Sequence, residues 1–305
     1  MRVLLTGAHG QLGKALLRSV PEGIELIATA RQADAALDVQ ALDLSDSEAC
    51  RSAVVDHRPD WVLNAGAYTA VDQAESEPVL AQAVNAGAPR AFAEALVELG
   101  SQGRLLQLST DFVFDGQQGH PYEPGQARNP LGVYGATKAA GEQAISEVLG
   151  LSSTGRAVIL RTSWVYGPLG SNFLLTMLRL HRQKTEQGEP LCVVADQVGC
   201  PTATYGLASA CWAAIQQRRL GILHWSDAGV ASWYDFALAI GELAQSAGLL
   251  ERAAEVEPIT SSEYPTKARR PSLSLLACAA SRKILGLPAR HWRHALAEVI
   301  ADVGQ

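Results

Sequence analysis

Residues 2–13 read Arg2-Val3-Leu4-Leu5-Thr6-Gly7-Ala8-His9-Gly10-Gln11-Leu12-Gly13, and a helical run through Lys14, Ala15, Leu16 and Leu17 follows. A short apolar strand, a glycine-rich turn and a helix form the context in which a chain binds a dinucleotide. Gly7 allows the tight turn, Gly10 lets backbone approach a pyrophosphate, and Gly13 lets the helix pack closely on the strand. The first helical turn, through Gln11 and Leu12, offers N–H groups without intrahelical acceptors at the positive end of the helix dipole. The glycines are each separated by two residues, wider at the first step than in the dehydrogenase form. An ordinary strand-to-helix turn is the alternative reading of this stretch alone.

The same alternation continues down the chain. Apolar β-type runs at Ile24 to Ala28, Trp61 to Asn64, Leu105 to Leu108, Val158 to Leu160 and Leu191 to Val194 are separated by helical stretches near Ser45 to Asp56, Val79 to Leu99, Tyr134 to Leu149 and Phe173 to Arg182. Continuous apolar strands between helices of this length imply a parallel sheet covered on both faces. Pro89 falls inside the long second stretch and should kink or split it. A strand-like piece at Gly221 to Trp225 and helices near Ser232 to Ala247 and Arg290 to Val303 complete the chain. The expected fold is α/β, a doubly wound parallel-sheet Rossmann fold with a smaller C-terminal α/β substrate-binding region. Residues 1–165 would form the dinucleotide-binding part, with segments near 190–220 returning to the sheet. Residues 166–305 would be mostly substrate-binding and discontinuous.

In such sheets ligands sit beyond the carboxyl ends of the strands. Tyr134 and Lys138 are four residues apart at the head of a helix, so both side chains stand on one face, a turn apart. A neighbouring ammonium stabilises a phenolate and moves a phenol toward the working pH, where proton transfer is effective. Thr110 ends the strand run before Asp111 and Phe112, where its hydroxyl could bond the oxygen that Tyr134 protonates; a threonine that caps the turn is the bland alternative. Arg31 follows the second strand, where an acidic residue would select NAD and an arginine accommodates a 2′-phosphate. NADPH is therefore the expected cofactor, with NADH as the alternative.

Composition bounds the remaining choices. The 305 residues carry 25 Lys and Arg against 31 Asp and Glu, a formal charge of −6, with 48% hydrophobic and 18% charged residues. No basic stripe offers a nucleic-acid footprint. No stretch reaches 18 consecutive apolar residues and the N-terminus enters a strand directly, so a cytoplasmic protein without a membrane partner is expected. Cys50, Cys192, Cys200, Cys211 and Cys278 are odd in number and widely spaced, which reads as reduced thiols and not as a metal or disulfide framework. His291 and His294 receive no role.

Taken together, Thr6 to Gly13, Asn64-Ala65-Gly66-Ala67, Tyr68 to Glu75, Ser109 to Gly116, Tyr134 to Lys138, Arg161 to Gly167, Asp196 to Thr202 and Arg270-Pro271 resemble the extended short-chain dehydrogenase/reductase superfamily, and within it the dTDP-4-dehydrorhamnose reductases. The resemblance covers nearly the whole chain. The glycine turn and the Tyr-Lys pair mark the superfamily; Thr69 to Pro78, Ser109 to Gly116 and Asp196 to Thr202 discriminate within it. Sugar-nucleotide dehydratases follow their catalytic threonine with Asp-Glu, whereas here Thr110 precedes Asp111-Phe112, so elimination lacks its base and ketone reduction is favoured.

The resemblance implies NAD(P)H-dependent reduction of the C4 ketone of dTDP-4-dehydro-L-rhamnose to dTDP-L-rhamnose, in nucleotide-sugar and cell-surface polysaccharide biosynthesis. Thr110, Tyr134 and Lys138 would be catalytic, with Lys138 also holding the nicotinamide ribose. Thr69, Val71, Asp111, Phe112 and Trp164 would line the sugar pocket, and Asp43-Leu44 and Ala65-Gly66-Ala67 would contact the adenosine end. Trp164 as a core aromatic is the alternative. Arg270 resembles a lid arginine that could pair with the nucleotide diphosphate; a plain surface charge is its alternative. Family members described as magnesium-bridged dimers use a glutamate early in the first helix, and the matching Ala15 argues against metal here, leaving a monomer or homodimer. A reductase or epimerase for another nucleotide sugar, or a non-catalytic NADP-binding regulatory subunit, are the competing functions.

Overall fold

The computed structural model describes residues 1–100, 102–152 and 154–303; the last two residues of the expected 166–305 region lie outside them. The chain opens with β1 (Arg2–Thr6), α1 (Gln11–Arg18), β2 (Glu25–Ala30), β3 (Val39–Ala41), α2 (Ser47–His57) and β4 (Trp61–Asn64). Next come α3 (Val71–Ala74), α4 (Pro78–Gln82), a π-helical turn at Ala83–Gly87, α5 (Ala88–Glu98), β5 (Arg104–Thr110), α6 (Val133–Leu149) and β6 (Ala157–Thr162). Beyond them lie β7 (Val165–Tyr166), α7 (Phe173–Gln187), β8 (Leu191–Val194), β9 (Val198–Gly199), β10 (Thr202–Ala203), α8 (Thr204–Gln216) and β11 (Gly221–Trp225). The described chain closes with β12 (Ala231–Ser232), α9 (Trp233–Ser246), β13 (Val256–Ile259), α10 (Ala279–Leu285) and α11 (Trp292–Ala301).

Seven strands form one sheet in the order β11-β6-β5-β4-β1-β2-β3, and every pairing in it is parallel. This is the doubly wound Rossmann architecture, whose order reverses between β1 and β4 and so opens a crevice at their carboxyl ends. The strands are apolar throughout because both faces are covered. Leu12, Leu16, Leu207, Cys211 and Ile215 from α1 and α8 pack on one face. Cys50, Val54, Phe92, Leu96, Ile145 and Leu149 from α2, α5 and α6 pack on the other. A separate core of Leu174, Leu178, Phe236, Ile240, Leu296 and Val299 joins α7, α9 and α11 in the smaller C-terminal region.

The elements differ from the expected ones in several places. Leu191–Val194 is a strand, but it pairs with β13 in a small sheet of its own and buries Leu191 and Val193 in the C-terminal core. The edge strand β3 escapes the sequence pattern because only Val39 of its three residues is buried. The Val79 to Leu99 stretch is split just ahead of Pro89, as expected: α4 ends at Gln82, a π turn spans Ala83–Gly87, and α5 starts at Ala88 with Pro89 in its first turn, where no N–H is required. Helix α7 also runs on to Gln187, five residues past the expected end.

Candidate active site

Between β1 and α1 the turn is shaped by close approach. Gly7 has φ 71°, and a Cβ there would stand 2.7 Å from the Gly66 backbone; a Cβ on Gly13 would stand 2.1 Å from the Gly7 carbonyl oxygen. Gly10 caps α1 without a side-chain hydrogen bond, and no acidic residue stands in the first turn. The leading N–H groups therefore face outward unclaimed, as an anionic pyrophosphate requires. They open into a cavity of about 690 Å³. Its wall contains Gly7, Gly10, Gln11, Leu12, Gly13, Arg31, Asp43, Leu44, Ala65, Gly66, Ala67, Tyr134 and Lys138, together with Thr69. These residues fit a dinucleotide: glycine backbone and a free helix N-terminus at the centre, Arg31 at one end and the Tyr134-Lys138 face at the other.

The Tyr134-Lys138 end is tied to that turn by buried hydrogen bonds. The Thr6 hydroxyl donates to Asn64 Oδ1 at 2.5 Å, Asn64 Nδ2 to Gln107 Oε1 at 2.7 Å, and Gln107 Nε2 to the Leu108 carbonyl at 2.7 Å. The same Leu108 oxygen accepts from Lys138 Nζ at 2.7 Å. Satisfied chains of this kind specify one geometry, since a lost partner leaves a buried polar group unpaired.

Thr110 both caps and faces the site. Its Oγ1 accepts from the Phe112 N–H at 3.2 Å and donates to Asp111 Oδ1 at 3.0 Å, and the hydroxyl stands close enough to the Tyr134 phenol to act on its titration. The turn-capping reading holds, and the same hydroxyl stands beside Tyr134. The Phe112 ring stands edge-on to Tyr134, with centroids 5.7 Å apart and planes at 71°. Asp111 is buried, its Oδ2 has no partner, and burial pushes its carboxyl up to about 6 against hydrogen bonds from Ser274 and Thr110.

The direction of the Tyr134 titration corrects the sequence reading. Burial pushes the phenol up to about 12, opposed by the nearby Thr110 hydroxyl and helped by the charge of Asp111. The expected lowering by Lys138 is not seen, because the ammonium is turned to the Leu108 carbonyl. Lys138 itself is pulled down to about 8 by burial, with Glu142 opposing.

Val71, Thr110, Asp111, Phe112, Trp164 and Arg270 lie off the wall of this cavity. Trp164 stacks on Trp233 with ring centroids 3.5 Å apart and planes at 6°, and its backbone takes φ 48°, unusual for a bulky side chain. It is partly buried against the C-terminal core and is not enclosed by it. Arg270 is no free surface charge: its Nη2 donates to Asp72 Oδ2 at 2.6 Å and Nη1 to Asp72 Oδ1 at 3.3 Å. The Ala268 N–H also reaches Asp72, so α3 holds the 266–271 loop. Ala15 is packed in the core beneath α1. Among the described residues no cluster of His, Cys, Asp or Glu could hold a metal, and no helix is long and apolar enough to cross a membrane.

Residues 1–305 match the family model described as RmlD substrate binding domain. The chain belongs to this family. It is 37% identical over 306 residues to the dTDP-4-dehydrorhamnose reductase of Aggregatibacter actinomycetemcomitans, covering 98% of each chain. It is 38% identical over 304 residues, 99% of this chain and 96% of the relative, to a probable dTDP-4,6-dihydroxy-2-methyloxan-3-one 4-ketoreductase of Streptomyces antibioticus. The crystal structure of the Bacillus anthracis dTDP-4-dehydrorhamnose reductase in complex with NADP superposes with a TM-score of 0.83 at 32% identity, covering 98% of each chain.

Within this RmlD-type chain, two supporting residues escaped the sequence reading. Asn85, on the π turn, accepts from the Tyr68 N–H at 2.9 Å and donates to the Tyr68 carbonyl and Thr137 Oγ1, each at 3.1 Å. The only sequence signal was an asparagine in an alanine-rich helix. Glu75 accepts the Val133 N–H at 2.8 Å at the head of α6. Gln11 contributes a side chain as well as backbone, donating to the Val165 carbonyl at 3.0 Å and so linking α1 to the chain after β6.

Proposed function

We propose that this chain reduces the C4 ketone of dTDP-4-dehydro-L-rhamnose with NADPH to give dTDP-L-rhamnose. The observation that carries the reading is one cavity lined by the free N-terminus of α1, Arg31, Tyr134 and Lys138, with the Thr110 hydroxyl close to the phenol. The names of the two reductase relatives and the NADP complex of the Bacillus anthracis enzyme support it.

NADPH, when bound, supplies the hydride that adds to C4. Gln11, Leu12 and Gly13 would hold its pyrophosphate, Arg31 the 2′-phosphate, and Asp43, Leu44 and Ala65 to Ala67 the adenosine end. Tyr134 gives its phenolic proton to the carbonyl oxygen, and Thr110 bonds and polarises that oxygen. A phenol held near 12 remains protonated at neutral pH and is ready as an acid. Lys138 would stabilise the phenolate that the transfer leaves and hold the nicotinamide ribose. Phe112 stands where a dehydratase has its glutamate, so no base is placed to eliminate water. Thr69, Val71, Asp111 and Trp164 would hold the sugar nucleotide from residues 1–165, which also carry the cofactor site, and Arg270 would hold it from residues 166–305.

The test is NADPH consumption with dTDP-4-keto-L-rhamnose, followed by product stereochemistry. Tyr134→Phe should lower kcat by roughly 10²–10⁴-fold; a variant that keeps most of the wild-type rate refutes the assignment. A second reading, ketone reduction on another dTDP-linked deoxysugar, is favoured by the 38% identity to the Streptomyces antibioticus relative. Turnover of such a substrate, with none of the rhamnose precursor, would select it.

A further inference from the structure

Behind the catalytic face, two turns past Tyr134 on α6, lies the most enclosed acid of the fold. Glu142 is fully buried. Its Oε1 accepts from Ser109 Oγ at 2.5 Å and from Arg161 Nε at 2.9 Å; its Oε2 accepts from Arg161 Nη2 at 2.7 Å and from Arg128 Nη1 at 3.3 Å. Ser109 directly precedes Thr110 on β5, Arg161 lies on β6, and Lys138 stands one turn before Glu142 on the same helix.

We propose that Glu142 is a positioning residue for the reduction, pinning the ends of β5 and β6 onto α6 and supplying the buried negative charge that keeps Lys138 an ammonium. The proposal rests on the reductase reading above.

Two hydrogen bonds fasten β5 to α6 at consecutive residues, Lys138 to the Leu108 carbonyl and Ser109 to Glu142. Thr110 is the next residue, so its distance from Tyr134 is set by this pair. Charge leads to the same role. Arg161 and Lys138 are buried, and Arg128 is half-buried, with Glu142 the acid that ion-pairs both arginines. His224, 3.3 Å from Arg161 on β11, is held far below its ordinary range by burial and by Arg161, so it adds no charge. The other ionisable groups facing this part of α6 are Tyr134, neutral at working pH, Asp111 beyond β5, and Glu75 at the helix head. An uncompensated ammonium in a dry interior loses its proton at lower pH, and a nearby carboxylate opposes that loss. Glu142 has this effect on Lys138.

The experiment follows two profiles against pH in the full chain: kcat/KM for reduction, and NADPH affinity by fluorescence titration. Both fall on the alkaline side as Lys138 deprotonates, near pH 8 in the wild type. Glu142→Gln should move that fall down by about one pH unit. Glu142→Asp should lower the rate with the fall in place. Arg128→Gln, at a half-buried site, removes an opposing cation and should move the fall upward, whereas Arg128→Lys should not move it.

Loss of rate without movement of the fall in Glu142→Gln overturns the proposal. If Glu142→Gln does not fold, an unmoved Arg128→Gln profile overturns it equally. A wild type that binds NADPH with this profile but leaves the rhamnose precursor untouched refutes the substrate and spares Glu142; a wild type that binds no NADPH at any pH refutes both.

Discussion

Glu75 Oε1 accepts the backbone N–H of Val133 at 2.8 Å, so an acid on the segment after α3 caps the helix that carries Tyr134 and Lys138. Three residues earlier, Asp72 holds Arg270 and Ala268. One short element thus brackets the head of α6 and the 266–271 loop, which gives the Thr69 to Glu75 stretch a structural reason for its acids. Glu75→Ala should cost about 1 kcal/mol of stability by urea unfolding, the usual loss for a helix cap, and roughly tenfold in kcat through the displaced phenol. A Cβ on Gly132 would stand 2.6 Å from the same carboxylate oxygen, so Gly132→Ala should reproduce both losses.

The glycine turn separates folding from binding. A Cβ on Gly13 would meet the Gly7 carbonyl at 2.1 Å, whereas one on Gly10 would meet it at 3.1 Å and project toward the cavity. Gly13→Ala should destabilise by about 1–3 kcal/mol, the range for overpacking. Gly10→Ala should leave the unfolding midpoint nearly unchanged and weaken NADPH binding, measured by fluorescence titration. Equal effects of the two substitutions on stability would contradict this division.

Asp111 makes stability depend on pH. Its folded value, about 6, lies above the ordinary 3.8, so between those values the folded chain binds more protons than the unfolded one. The contribution is fully favourable below about pH 4 and is lost as pH rises through 6. The rise is worth roughly 3 kcal/mol at neutral pH, and an unpartnered amide would return part of that in Asp111→Asn. The difference in Tm between Asp111→Asn and wild type should therefore be near zero at pH 4 and positive at pH 7, with substrate KM raised in the variant.

Cofactor choice can be read at Arg31. It is exposed on the cavity wall at the carboxyl end of β2, close enough to Asp43 to lower that carboxyl, though less than the Ser45 hydrogen bonds do. Arg31→Ala should raise KM for NADPH about tenfold or more, the scale of a lost charge-assisted phosphate contact. KM for NADH should hardly change. An unaltered NADPH to NADH ratio of kcat/KM would assign Arg31 to solvent.

Much of this was legible in the chain because it depends on neighbours in sequence. The β1 turn, the spacing of Tyr134 and Lys138, and the apolar strands are local patterns, and their residues gather on one cavity. Trp164 shows where local reading stops: its φ of 48° and its stack on Trp233 need a partner 69 positions away. Arg270 is similar, since its partner Asp72 is 198 residues distant. Periodicity placed Leu191–Val194 as a strand but not its sheet, because apolar alternation does not name a partner.

The sequence alone determined the strand-turn-helix opening, the alternating fold and the pair of residues that could move a proton, because backbone preference and side-chain spacing act over a few residues. Tertiary structure decided the protonation of that pair. Burial holds Tyr134 as a phenol and draws Lys138 toward neutrality, and the opposing charge of Glu142 acts only where desolvation makes it strong.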